Sequence, residues 1–400
     1  MFSCNEKNKV LILKALLVIC LSASSPAAQS TTDLQKLLQE KAGLTQTEIS
    51  ELEGGKPVVK LLASKDVREI SVFGAIKLDR ILDLDAASFR ESLSQRGGKV
   101  MLDSGTFSRP PTMADIEALG VDVKDIVDLR NCVIGRCNVK LSAEMISRIN
   151  KQIDWSSPDH AAEAARLYKE LVVEKVRAYS EAGDKALIEY ADQRKPVDLR
   201  RLYPSLLERS VFIRFLAPEF EKYLEAFPQG NNTEIEDRLE WSRVKSGLKP
   251  IITITHSSTY QKRVNDGPQI MLVTKQIYAS HYIDALLALT ALVTADDGGQ
   301  KSSYLVFSSI SYSESLSGAL GRLAHPVVER EAIDKATDIL QRGAAQMNAR
   351  ARTPTGQDPS LRSDDAGSWS AFFRRHWFSA AAGGLALVFL IVFFVRRYSR

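Results

Sequence analysis

The chain has 400 residues, 44% of them hydrophobic, and carries 53 Lys and Arg against 49 Asp and Glu, a formal net charge of +4. Several of the positive charges sit at the two termini, and no basic block marks a nucleic-acid partner. Without the terminal segments about 345 residues remain, enough for one large domain or two small ones.

The chain opens on a secretory-signal pattern. Lys7, Lys9 and Lys14 form a positive region, Ala15 to Ala23 a short apolar one, and small residues follow in SASSPAAQS. This assigns residues 1–28 to a signal peptide, with cleavage predicted after Ala27 or Ala28. Cys20 stands in LVIC, where Ile19 occupies the position at which lipidation needs a small residue.

Residues 29–65 read as a helical lead-in. Leu34, Leu37 and Leu38 mark one helix. Thr45 and Glu48 cap a second, which carries Ile49 and Leu52 and ends at Gly54-Gly55. Residues 67–79 alternate as a strand, with Val67, Ser71, Phe73, Ala75 and Lys77 against Ile70, Val72, Gly74, Ile76 and Leu78. AASFRESLS reads as a helix and KVMLDSGTF as a second strand. Val123 to Leu141 is predicted to be a hairpin with Cys132 and Cys137 at its turn. Cys4 and Cys20 leave with the signal, so this even pair reads as a disulfide in an oxidising compartment.

Residues 142–245 are predicted to be helical. Ser157 and Pro158 read as N-cap and first-turn proline of a long helix. Its buried face is marked by Ala164, Leu167, Leu171, Val172, Val176 and Tyr179, and its end by Gly183. Over residues 250–313 the pattern returns to four strands, broken at Asp266-Gly267 and at Asp296-Asp297-Gly298-Gly299. The segment from Asp284 to Val293 fits strand or helix, with strand preferred. A long helix spans about Leu316 to Met347, with Val328, Ala332, Ala336, Ile339 and Leu340 as its apolar stripe and a kink expected at Pro326.

Residues 348–376 read as a flexible polar tether. Residues 377–395, WFSAAAGGLALVFLIVFFV, contain no charge. At ~1.5 Å per residue such a run comes close to crossing a ~30 Å hydrocarbon core, so it is predicted to be a transmembrane helix. Arg374, Arg375, Arg396, Arg397 and Arg400 flank it, with Trp377 and Tyr398 as interfacial aromatics. The signal peptide decides the orientation. The bulk of the chain is expected outside the cytoplasm (periplasmic in a Gram-negative cell), with residues 396–400 as a cytoplasmic tail.

The order of a strand, a short helix, a large helical insertion, a four-strand meander and a long C-terminal helix resembles the START-like (polyketide cyclase-like, helix-grip) superfamily. The resemblance covers about residues 66–110 and 250–345. It implies an α+β fold over residues 66–347, in which a curved antiparallel sheet packs on the last helix around a cavity for apolar ligands. The helical insertion falls at about 142–245. VFGAIKLD and KQIYASHYIDA also resemble segments of uncharacterised bacterial envelope proteins, a likeness that implies no activity.

No G-x-S-x-G, H-E-x-x-H, P-loop or G-x-G-x-x-G pattern occurs, so the sequence names no catalytic residue and no cofactor. Only five histidines exist, and His160, His325 and His376 lie far from the others in sequence, which argues against a metal site. The candidate ligand-binding residues are His256, Tyr260, Tyr278, His281 and Tyr282, on the most polar and aromatic strands. Alternation puts His256 with Ile252, Ile254, Ser258 and Tyr260. It puts Gln276, Tyr278 and Tyr282 on one face of the next strand, and His281 with Ile277 and Ala279 on the other. A buried imidazole left unpaired costs ~1–3 kcal/mol, so Asp284 or a tyrosine hydroxyl is the expected partner. These residues read either as a satisfied core or as a cavity wall with polar anchors or a general base. The functional expectation is a membrane-anchored domain that binds an apolar or lipid-like ligand or an envelope protein partner. A cyclase-like or hydrolytic enzyme using a sheet histidine, and a structural envelope protein, are the alternatives.

Overall fold

The computed structural model describes residues 31–94, 101–230, 232–245, 249–264, 267–297 and 300–350. The signal-peptide, membrane-helix and tail assignments, and nearly all of the tether, lie outside these residues. No helix among the described residues is long and apolar enough to cross a membrane.

Two helices, α1 (Thr31–Ala42) and α2 (Gln46–Glu53), open the fold. The Thr45 side chain accepts from the Glu48 amide at 3.2 Å, and the Glu48 carboxylate accepts from the Thr45 amide at 2.7 Å, the reciprocal cap that the sequence predicts. The lead-in is not all helix, however. It contains β1 (Val58–Leu62), an edge strand paired antiparallel with β2 (Glu69–Lys77). A β-branched pair, Val58 and Val59, fits a pleated surface better than a helix.

Next come α3 (Ala86–Ser94), β3 (Met101–Thr106) and α4 (Val123–Arg130). The last of these corrects the hairpin expected over Val123 to Leu141. Asp122 caps the Lys124 amide, and Ile126 and Leu129, three apart, face the core, so the helical period wins. The cysteines do sit at a turn. Cys132 and Cys137 form a disulfide with Cα atoms 4.4 Å apart, and a bridge joins Val133 to Arg136 inside the loop.

The insertion continues with α5 (Ala143–Gln152), α6 (His160–Ala182), the short pair β4 (Glu189–Tyr190) and β5 (Val197–Asp198), then α7 (Leu199–Arg209), α8 (Val211–Leu216) and α9 (Pro218–Ala226). The long helix starts later than Ser157. Asp154 binds the Ser156 amide and hydroxyl, holding residues 154–157 as a turn, so the first helical residue is His160. Gly183 ends it at φ +58, where a Cβ would overlap the Phe227 carbonyl oxygen. The helical expectation fails again at β6 (Ile235–Val244). There Leu239 and Trp241 face the core two apart, while the alternate residues Glu236, Arg238 and Glu240 take polar partners.

The meander follows as expected: β7 (Ile251–Val264), β8 (Gly267–Ala279), β9 (Ala285–Asp297) and β10 (Gln300–Tyr312), then α10 (Gly318–Arg350). Eight strands form one antiparallel sheet in the order β1-β2-β10-β9-β8-β7-β6-β3. The chain is thus an α+β protein with a large antiparallel sheet and a long C-terminal helix.

Helices cover the sheet on both sides. On one, Ile70, Val72, Leu286, Leu305 and Phe307 pack with the α10 stripe of Val328, Ala332, Ala336 and Leu340. On the other, Phe73, Ala75, Leu287 and Val306 join Leu171, Val172, Val176 and Phe212 of the insertion. Two-sided burial explains the unbroken apolar run of β9, which sequence alone leaves between strand and helix. Gly74 marks the close approach of α10, because a Cβ there would lie 2.6 Å from Leu340 Cδ1.

Two stability predictions follow from the packing. Leu340→Ala opens a cavity at a fully buried contact and should cost about 3 kcal/mol in urea unfolding of the full chain. Removing the disulfide by Cys132→Ser with Cys137→Ser frees a very short loop, and should cost about 2 kcal/mol by chain entropy. A loss near zero for either would contradict the corresponding contact.

Candidate functional site

The strands β6 and β7 assemble the most connected polar group on the sheet. Their register sets Leu239 opposite His256 and Asp237 opposite Ser258. His256 and Tyr260 share a side with Ile252 and Ile254, facing the insertion rather than α10. The partner of His256 is not Asp284. Its Nδ1 lies 2.8 Å from the Tyr179 hydroxyl and its Nε2 2.9 Å from Asp237 Oδ1. Ser258 Oγ donates to that same carboxylate oxygen at 2.6 Å, and the Tyr223 hydroxyl donates to the other. The Phe227 ring closes over the imidazole with centroids 4.2 Å apart.

Burial pushes the Asp237 carboxyl up, but hydrogen bonds from His256, Ser258 and Tyr223 outweigh it and hold the group below the ordinary aspartate value. The same contact works in reverse on Tyr223, where burial and then the carboxylate raise the phenol. Ser, His and Asp meet here, yet Ser258 and Asp237 both address Nε2. A nucleophile–base–acid relay needs them on opposite ring nitrogens, so this is not one.

Behind the imidazole sits Lys275. Its ammonium pairs with Asp184 and lies 4.6 Å from the centre of the Tyr203 ring. Burial lowers its pKa below the ordinary lysine value despite the attraction of Asp184.

The other predicted residues go to separate places. The Tyr260 hydroxyl donates to Glu219 Oε1 at 2.6 Å, and Lys262 binds the same oxygen at 2.7 Å. Burial, and then Glu219, raises the Tyr260 phenol. The Tyr278 hydroxyl donates to the Lys140 carbonyl at 3.0 Å and lies 2.9 Å from the Tyr168 hydroxyl. A bulge between the pairs Ile254–Tyr278 and Thr255–Gln276 puts Ile277 and Tyr278 together on the insertion side, so Tyr278 does not share a face with Gln276. His281 and Tyr282 fall beyond the end of β8. His281 Nδ1 donates to the Asn138 carbonyl at 2.9 Å, and Nε2 lies 3.0 Å from Asp125 Oδ1 on α4. Tyr282 has φ +64 and packs against the α10 side, away from Tyr278. Asp284 instead binds the Lys140 ammonium and accepts the Glu314 amide at 2.7 Å, with Asp192 3.7 Å from the same ammonium. Burial opposes the Lys140 charge, but the two carboxylates outweigh it and raise its pKa.

Two small cavities lie on the insertion side. One borders Tyr179, Tyr203, His256, Ser258 and Lys275, the other Val176, Tyr179, Ile254 and Tyr278, and each is about 20 Å³. That is room for about one water molecule, against the roughly 300 Å³ that a small organic ligand needs. Two larger clefts lie nearer the surface. One cleft of about 440 Å³ is lined by Arg109, Ser180, Tyr223, Phe227, Glu236 and Asp237, so its floor is the outer edge of the His256 network. Another, of about 500 Å³, lies between Met113, Glu117, Ala165, Arg166 and Lys169. Among the described residues no three His, Cys, Asp or Glu side chains converge as metal ligands.

No protein-family model matches the chain, and no curated protein matches it. The site therefore rests on its geometry. Sequence reasoning misses Asp237 because it places β6 in a helix, and Tyr223, on α9, is then left without the carboxylate that it meets. The signal is nevertheless there: in Ile235, Asp237, Leu239 and Trp241 a single acid interrupts an apolar row of period two.

Asp237→Ala leaves three donors without an acceptor and should cost about 3 kcal/mol in urea unfolding, against about 1 kcal/mol for Tyr223→Phe. The pH dependence has a definite sign. Because the folded-state pKa of Asp237 is depressed, its contribution is complete above the unfolded value of about 3.9 and is lost as pH falls through the lower folded value. Asp237→Asn should therefore flatten the decline of stability below about pH 4. An unchanged acid limb would show that the carboxylate is not held by these donors.

Proposed function

We propose that this protein is an exported domain, held at a membrane by residues 377–395, that works by binding a partner protein at its surface. The observation that carries this reading is the contrast in volume. The cavities near the predicted ligand residues hold about one water each, whereas the polar cleft above Asp237 is about 440 Å³. An apolar ligand needs an enclosed apolar pocket, while a polar segment of a protein fits an open cleft lined by Arg109, Ser180 and Glu236.

The START-like reading is supported by the succession β2, α3, β3, insertion, β6 to β10 and α10, and by the adjacency of β2 and β10 in the sheet. Export is supported by the signal pattern, and a disulfide at Cys132–Cys137 suits an oxidising compartment. The catalytic alternative has less behind it. Both nitrogens of His256, and both of His281, already have protein partners.

The test is native mass spectrometry of the full chain extracted in mild detergent, with Ser180→Arg to fill the cleft. The Ser180 hydroxyl bonds only its own helix, so the substitution removes no tertiary hydrogen bond. The expected result is a protein or peptide complex that Ser180→Arg abolishes. A tightly held lipid or fatty acid inside the domain, indifferent to Ser180→Arg, would replace this reading with the carrier.

A further inference from the structure

The outer face of α4 and the disulfide loop carry four exposed aliphatic side chains in one short segment. Val123 is 77% exposed, Val127 55%, Val133 45% and Ile134 63%. Val123 and Val127 are one helical turn apart, and the Asn131 side chain, bonded to the Val127 carbonyl, carries the chain on into the loop. Four exposed aliphatic side chains gathered within twelve residues of one helix and its adjoining loop mark a surface suited to meet something other than water.

The charges around the strip are sorted by sign. Lys124, Arg130, Arg136 and Arg194 are all exposed, and no hydrogen bond or ion pair engages their side chains among the described residues. Arg194 is close to the loop, since a Cβ at Gly135 would lie 3.8 Å from its Cα. The acids of the same helix are already occupied. Asp125 meets His281 and Lys249, Asp128 meets Lys249 and Asn138, and Asp122 caps the helix. The strip is thus apolar and cationic, with its nearby carboxylates engaged elsewhere.

We propose that this strip docks on an anionic lipid bilayer. Small aliphatic groups that reach into the headgroup boundary, set among unpaired cations, fit a phosphate-bearing surface. A protein interface of comparable strength would be expected to offer buried aromatic anchors, and none stands in the strip. The disulfide and the bonds from Gly135 N to the Ala191 carbonyl and from Cys137 N to the Asp192 carbonyl fix the loop, so little ordering is lost on contact. The 26 residues from 351 to 376 reach at most about 90 Å, enough for this face to turn to the bilayer. The inference rests on the membrane-anchored reading above and specifies which face meets the membrane.

The experiment reconstitutes the full chain in nanodiscs of phosphatidylcholine alone or of an equimolar mixture with phosphatidylglycerol, and follows amide hydrogen exchange over residues 123–137. Slower exchange in the anionic discs only, reversed in 1 M salt where the screening length is about 3 Å, is the expected result. Each of Arg130→Glu and Arg136→Glu should weaken docking about fivefold or more, and Ile134→Asp should abolish the protection. All three positions are exposed, so the fold should survive the changes. Exchange that is the same in both discs, or protection that the variants leave intact, overturns the docking proposal. A chain that does not enter discs of either kind overturns the anchoring reading itself, and a strip that is protected only in a protein complex assigns it to that partner instead.

Discussion

The sheet is buried on both faces, and most of the structure follows from that constraint. An antiparallel sheet with one wet face alternates apolar and polar residues. Here β2, β9 and much of β10 are apolar on both sides, so each face needs its own cover. α10 supplies one, with Leu340 lying close over Gly74. The helical insertion supplies the other. Without either layer, a row of Leu, Val and Phe side chains would face water.

The same constraint accounts for the polar clusters. Every hydroxyl, imidazole or carboxylate that remains on the insertion side must find a partner inside the protein, because water is excluded. Tyr179 on α6 meets His256 on β7. Tyr203 on α7 bonds the Gln276 carbonyl of β8. Tyr168 on α6 meets Tyr278 on β8, and Asp125 on α4 meets His281 beyond it. Each joins a helix of the insertion to the late strands. The polar groups therefore fix how the helical layer sits on the sheet, where apolar packing alone leaves it free to slide. The cleft above Asp237 is the place where such a cluster reaches the surface.

Legibility in the sequence followed the strength of the local period. The four-strand meander, the α10 stripe, the Thr45–Glu48 cap and the end of α6 at Gly183 were readable because each has a local cause. β6 was not, because Asp237 interrupts its apolar row of period two, and the partners of that carboxylate lie on other elements of the chain. Nor was α4, whose eight residues offer too few turns for a helical period to stand out from alternation. His256 and Tyr260 are buried on the side of β7 that they share with Ile252 and Ile254, a placement that alternation allows once that face points inward. Their separation from Tyr278, His281 and Tyr282 depends on a bulge and on the end of β8, neither of which has a residue signature. The order of elements carries no information about which face of the sheet a histidine occupies.

The insertion leaves the sheet after β3 and returns at β6, and these two strands are neighbours, with Thr106 opposite Glu240. Their pairing closes a loop of 134 residues, counted as 240 − 106. The length-dependent part of that closure entropy is on the order of 4 kcal/mol, more than a few edge hydrogen bonds return. β3 is therefore expected to join the sheet only after the helical layer has folded and brought the two ends together. The edge strand then acts as a reporter of assembly: its amides are the ones that pulsed hydrogen exchange should find protected last.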